Sequence, residues 1–133
     1  MPLRQWQASV EADPMCVPAV RRTVSDLMVG WGWAGESLDA ALLVFSELVT
    51  NAIVHSARPG DAVSVRVQEF DGDCRIEVVD ARPDLLLVAR SASDTEEGGR
   101  GLLLVRSCSA DMDVVTSRGR KKVWARVLRE AAG

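Results

Sequence analysis

The stretch A-L-L-V-F-S-E-L-V-T-N-A-I-V-H, residues Ala41 to His55, decides how the rest of the chain is read. Leu42, Phe45, Leu48, Val49, Ala52 and Ile53 recur at three- and four-residue spacing, so on a helix they share one face. Glu47 and Asn51 stand one helical turn apart on a common face, inside an otherwise apolar segment and beside the core stripe. A carboxylate and an amide at a core edge are costly unless something satisfies them. One reading is an amphipathic helix with two boundary polar residues. The other is a pair of oxygen donors for a hard cation, or for a metal carried by phosphates.

Outward from this helix, the chain spells further elements. Leu3 to Val10 alternates loosely and predicts a short strand. Asp13-Pro14 is a helix start, with aspartate as cap and proline at the first position, leading a helix to about Val29. Gly30, Gly32 and Gly35 end it, and Trp31 and Trp33 in that connection are packing residues. Ser37 is placed to cap the second helix, which runs to about Ser56.

Val63, Val65 and Val67 then alternate with polar residues as a half-buried strand. Asp71-Gly72 is a hairpin turn, and the next strand runs from Cys74 to Val79 and closes on Asp80. The segment Arg90 to Gly99 is small, polar and acidic, the composition of a loop or lid. A helix from Gly101 to about Cys108 and two final strands around Met112–Thr116 and Val123–Val127 complete the order. Two hairpins and helices on one face predict an α/β two-layer sandwich with a mixed, largely antiparallel sheet.

Composition sets bounds. The 133 residues suit one domain, 1–133, with enough surface to bury a core. A net charge of −3 argues against a nucleic-acid footprint, and the basic cluster Arg118–Lys122 reads as a solvated hairpin. Cys16, Cys74 and Cys108 are odd in number and far apart, and there is one histidine. Neither a disulfide framework nor a zinc site follows, and reduced thiols in the cytoplasm are expected. No apolar segment approaches the about 20 residues of a bilayer span, so no membrane partner is expected.

Two further motifs carry chemistry. Gly98-Gly99-Arg100-Gly101 precedes Leu102-Leu103-Leu104-Val105. Glycines permit close backbone approach, a helix start offers free N–H groups to an anion, and Arg100 adds a planar cation. The stretch fits a polyphosphate cradle, or a flexible helix-start loop; it is neither a Walker A loop nor a dinucleotide fingerprint. Asp80 ends the strand I-E-V-V-D with Pro83 three residues on. It is either a turn cap or an acceptor at the floor of a pocket, suited to an exocyclic amine.

E-x-x-x-N, then D-x-x-P, then G-x-G, in that order, resembles the GHKL ATPase superfamily of gyrase, histidine kinases and MutL. The closer likeness is to its stand-alone anti-sigma factor serine kinases of the RsbW/SpoIIAB type. S-E-L-V-T-N-A-I-V-H is similar to their N box, V-V-D-A-R-P to a short G1 box, G-G-R-G-L-L-L-V to the G2 box and V-W-A to the usual final strand. The resemblance implies an ATP-binding domain with Mg²⁺ held by Asn51 and Glu47 acting on the attacking hydroxyl. It implies Asp80 reading the adenine amine, beside Pro83. It implies that Gly99, Arg100, Gly101 and Leu102 close on the phosphates. His55, one turn beyond Asn51, is not taken as a phosphoacceptor.

The implied function is an ATP-dependent protein serine/threonine kinase, cytoplasmic and homodimeric. It would phosphorylate an anti-sigma factor antagonist of the STAS type and sequester a sigma factor. The alternative is a catalytically weak or inactive nucleotide-binding or protein-interaction module. Two departures favour that alternative: Ala81 and Arg82 replace the glycines usual after the G1 aspartate, and Lys122 stands where relatives commonly carry the threonine that helps hold adenine.

Overall fold

A computed structural model describes residues 1–56, 58, 60–80, 105–117 and 119–130. Strand β1 (Arg4–Glu11) leads through a 3-10 turn (Pro14–Cys16) into helix α1 (Val17–Gly30). Asp13 caps that turn as the sequence predicts, its carboxylate accepting from the Met15 backbone N–H at 2.9 Å. Helix α2 (Gly35–Asn51) follows and passes directly into a π-helical turn (Ala52–Ser56). Strands β2 (Ala62–Phe70), β3 (Asp73–Asp80), β4 (Asp111–Ser117) and β5 (Arg120–Leu128) complete the described elements. Residues 105–108 are helical, with Val105 in the core.

The sheet has the order β1-β2-β3-β5-β4. All four pairings are antiparallel, which refines the expected mixed sheet. Each hairpin turn has a glycine where the backbone demands it: Gly72 and Gly119 adopt φ of 90° and 74°, which side chains with a Cβ resist. β5 inserts between β3 and β4, so the strand that ends at Asp80 lies beside the strand that begins at Arg120.

Period-two alternation makes one face of the sheet apolar. Val63, Val65 and Val67 of β2, Ile76 and Val78 of β3, and Val123, Ala125 and Val127 of β5 all point to the helices. Phe45, Leu48 and Val49 of α2 and Val24 and Met28 of α1 meet them. The core stripe read from Leu42 to Ile53 is buried throughout. α2 is central because it packs on α1 and on strands β3 and β5. By length and composition the helix Gly35–Val54 is enough to cross a membrane, against the expectation that no segment is. Half of that window is buried here, as the core face of the second layer.

Two local expectations change. α2 begins at Gly35, so Ser37 is inside the helix and does not cap it. Its buried hydroxyl instead accepts from the Glu130 backbone N–H at 2.8 Å, tying the end of β5 to the start of α2. The tryptophans do pack, and Trp33 also binds. Its Nε1–H donates to Glu69 at 2.7 Å. Glu69 carries a carboxylate on the apolar face of β2, 1% exposed, where Arg4 (2.8 Å) and Arg129 (3.3 Å) also reach it. Arg4 lies over the Trp31 ring and Arg129 over the Trp33 ring, at 5.7 and 5.5 Å from the centroids.

Candidate functional site

Three of the residues read as a site lie among the described residues: Glu47, Asn51 and Asp80. Asn51 is the last residue of α2, and Glu47 is one turn earlier; both are half-buried. Helix geometry directs both toward the same side at the helix end. After Asn51 the ladder changes to i→i+5 pairing over Ala52–Ser56. Such π segments are rare and recur at functional sites, because the inserted residue shifts the side chains that follow relative to those before. This turn packs against β3, the strand whose last residue is Asp80. The amide and carboxylate of α2 therefore stand immediately before a turn that packs on β3.

Asp80 is not a turn cap on the surface. It lies on the helix-facing side of β3, in step with Cys74, Ile76 and Val78, and is buried. Directly across the β3–β5 ladder from it is Lys121. The two form an ion pair, Nζ to Oδ2 at 3.0 Å, with each side chain only 1% exposed. Lys121 shares the parity of Val123, Ala125 and Val127, which turns it into the core. Lys122 has the opposite parity. It lines a groove of about 380 Å³ on the other face of the sheet, with Gln7, Ser9, Ser64 and Arg66. The expectation that Lys122 alters the adenine pocket is therefore corrected: the lysine that meets Asp80 is Lys121.

Sequence reading missed Lys121 and Glu69, although the signal was present. Both continue the period-two series that placed the buried valines of their strands. On the opposite face, Glu77 is likewise buried among cations, paired with Arg66 and with Arg75 at 2.9 Å. Arg75 also stacks 4.4 Å from the Trp124 ring centroid. These contacts hold the sheet's outer face together and, among the described residues, include none of Glu47, Asn51 and Asp80.

Pro83, Gly99, Arg100, Gly101 and Leu102 lie outside the described residues. Among the described residues no group of three or more His, Cys, Asp or Glu side chains could hold a metal ion. Mg²⁺ takes few protein ligands and retains water and phosphate oxygens. Asn51 offers one hard oxygen of the right kind. Asp80 is more than a lone acceptor, because it is paired with an ammonium.

A family model for the histidine kinase-like ATPase domain matches residues 10–127. The chain belongs to that family, and ATP binding is the property the family carries. Two solved structures share the fold. One is "The crystal structure of the RsbU and RsbW domains of Rv1364c from Mycobacterium tuberculosis", with TM-score 0.72 and 15% identity over 96% of this chain. This chain spans 32% of that one. The other is "The crystal structure of SiaB-SiaC complex from Pseudomonas aeruginosa", with TM-score 0.60 and 13% identity over 96% of this chain and 90% of that one. No curated protein matches the sequence.

Proposed function

We propose that this protein is an ATP-dependent serine/threonine kinase of a bacterial sigma-factor switch, acting in the cytoplasm on protein partners. The observation that carries the reading is the placement of Glu47 and Asn51 on the last turn of α2, run on by a π turn against the strand that ends in Asp80. Family membership supports the ATP half of the proposal. Support for the regulatory half comes from the shared fold, since one similar structure includes an RsbW domain and another is a two-protein complex.

In this reading each residue has a physical task. Asp80 accepts a hydrogen bond from the exocyclic amine of the base. Asn51 supplies its side-chain oxygen to Mg²⁺, which when bound neutralises phosphate charge. Glu47 orients the partner's serine hydroxyl and accepts its proton. Gly99, Arg100, Gly101 and Leu102 close over the phosphates. Phosphoryl transfer needs positioning and charge neutralisation more than covalent chemistry, so this small set is sufficient. The serine belongs to a small antagonist protein, and the unmodified antagonist competes with a sigma factor for this chain.

The ion pair at Asp80 favours a second reading in one respect. A carboxylate already compensated by Lys121 binds an amine less strongly than a lone one, as a nucleotide sensor or a purely protein-binding module would tolerate. Calorimetric titration with ATP, with and without Mg²⁺, tests the first reading. Saturable binding that requires Mg²⁺ is the expected result. Absence of heat at millimolar ATP, from protein shown to be folded, overturns it in favour of the binding module.

A further inference from the structure

On the outer face of the sheet, Arg66 and Arg75 hold Glu77, and Arg126 holds Asp73. Lys122, half-buried on the same face, holds no carboxylate among the described residues. Its neighbours across the two ladders are Val79 and Val115. We infer that Lys122 and the groove it lines form a binding site for the phosphate group of a small soluble molecule. This does not depend on the ATP reading, because the groove opens on the face of the sheet opposite Asp80 and Lys121.

Strand register builds the groove. Ser9 stands opposite Ser64, Ser64 opposite Val79, and Val79 opposite Lys122, so three short side chains and one long one cross four strands in a row. Two residues along each strand, on the same face, runs the taller row Gln7, Arg66, Glu77 and Trp124. Long side chains beside short ones leave a trough of about 380 Å³, with Lys122 at one end and Gln7, Arg66 and Glu77 along one wall. That volume lies at the lower end of the range for small-molecule sites.

The trough is rich in donors and poor in acceptors. Glu77 is the one carboxylate that lines it, and both its oxygens are taken: Oε2 by Nε and Nη2 of Arg66, and Oε1 by Nε of Arg75. Arg66 keeps Nη1 beyond that contact, and Lys122 brings an ammonium with three donors. The hydroxyls of Ser9 and Ser64 and the amide of Gln7 make no side-chain hydrogen bond to another described residue. A half-buried ammonium between two valines gains more from an anion than a fully solvated one does, because less water competes. Two strand spacings, about 10 Å, separate Lys122 from Ser64, so an anion over Val79 is within reach of both side chains. A phosphate has enough acceptor oxygens to meet several of these donors at once. The charge balance agrees: the chain carries −3 overall, yet Arg66 and Lys122 outweigh Glu77 in the groove. None of the large apolar side chains exposed on the described surface lines it, so a soluble molecule suits it better than a lipid.

The test is a titration of the unaltered, ¹⁵N-labelled protein with glycerol 3-phosphate at constant ionic strength, read as backbone amide shifts. Saturable shifts at Ser9, Ser64, Val79 and Lys122 are expected, with a dissociation constant on the order of 1 mM, and none with glycerol. Lys122→Gln, verified as folded by circular dichroism, is expected to weaken binding by about tenfold or more, because a charge-assisted contact is lost. An unchanged dissociation constant in that variant overturns the inference. So does the absence of any saturable shift, or a response that sodium chloride reproduces. Shifts confined to the Asn51 and Asp80 positions assign the phosphate to the ATP site and overturn it equally. Sedimentation with phosphatidic acid vesicles, while glycerol 3-phosphate leaves the spectrum unmoved, overturns the soluble ligand in favour of a lipid headgroup. The titration of the unaltered chain needs no variant, so a Lys122→Gln protein that fails to fold still leaves the question decided.

Discussion

The indole Nε1–H of Trp33 donates to Glu69 Oε2 at 2.7 Å, joining the α1–α2 connection to the far end of β2 inside the core. Arg4 and Arg129 reach the same carboxylate from β1 and from just beyond β5. One buried acidic side chain therefore gathers four separated parts of the chain. Trp33→Phe retains the ring and removes the donor. The expected loss is about 1–3 kcal/mol, because a buried carboxylate is left one partner short. Urea unfolding of the two proteins measures it, and identical midpoints would mean that the arginines alone suffice.

Asp80 and Lys121 should show strong coupling. Replacing either alone, as Asp80→Ala or Lys121→Met, removes one charge of a buried pair and is expected to cost about 3–5 kcal/mol. The double replacement removes both charges, so it should cost clearly less than the two singles combined. A double-mutant cycle from denaturant unfolding reads the coupling directly, and strict additivity would mean the pair does not interact in solution.

The Cys74 thiol is fully buried on β3, and burial, with Asp73 nearby, pushes its pKa from 9.0 up to about 12. The unfolded chain loses this proton near pH 9 while the folded chain keeps it. Stability from this group is therefore fully present below pH 9 and is lost as pH rises toward 12, by about 4 kcal/mol in all. Cys74→Ala or Cys74→Ser should flatten the fall in stability between pH 9 and pH 11. In the native protein at pH 8, Cys74 should resist alkylation while the half-buried Cys16 and Cys108 react first.

Glu47→Gln separates binding from transfer. Glutamine keeps the shape of the side chain on the last turn of α2 but cannot accept the hydroxyl proton. ATP affinity should hold, while phosphoryl transfer to the antagonist should fall by about 10²–10⁴. Radiolabel transfer from ATP gives the rate. Undiminished transfer would remove Glu47 from the chemistry, and unchanged partner control in the absence of any transfer would support the binding-module reading.

How much of this was legible beforehand follows from which interactions are local. The helix from Ala41 to His55, the Asp13-Pro14 start, the Asp71-Gly72 hairpin and the alternating valines are set by spacing, capping and turn chemistry within a few residues, and each is in the structure. The order E-x-x-x-N, D-x-x-P, G-x-G was enough to anticipate the family. Position in space was not legible. Ser37 looked like a cap, because a serine near a helix start is one by default; only the return of Glu130 to that corner gives its hydroxyl another partner. Alternation with Val123, Ala125 and Val127 marks Lys121 and not Lys122 as inward-facing, but nothing local says which residue it meets. The register of β5 against β3 makes the choice, since a shift of one residue would exchange the two faces of the strand. That register puts Lys121 against Asp80 in the core and Lys122 on the opposite face. The sequence by itself determined the elements and the family, because those depend on neighbours along the chain. The tertiary structure alone decided which charges meet in the dry interior, because that depends on residues 41 positions apart becoming neighbours across a ladder.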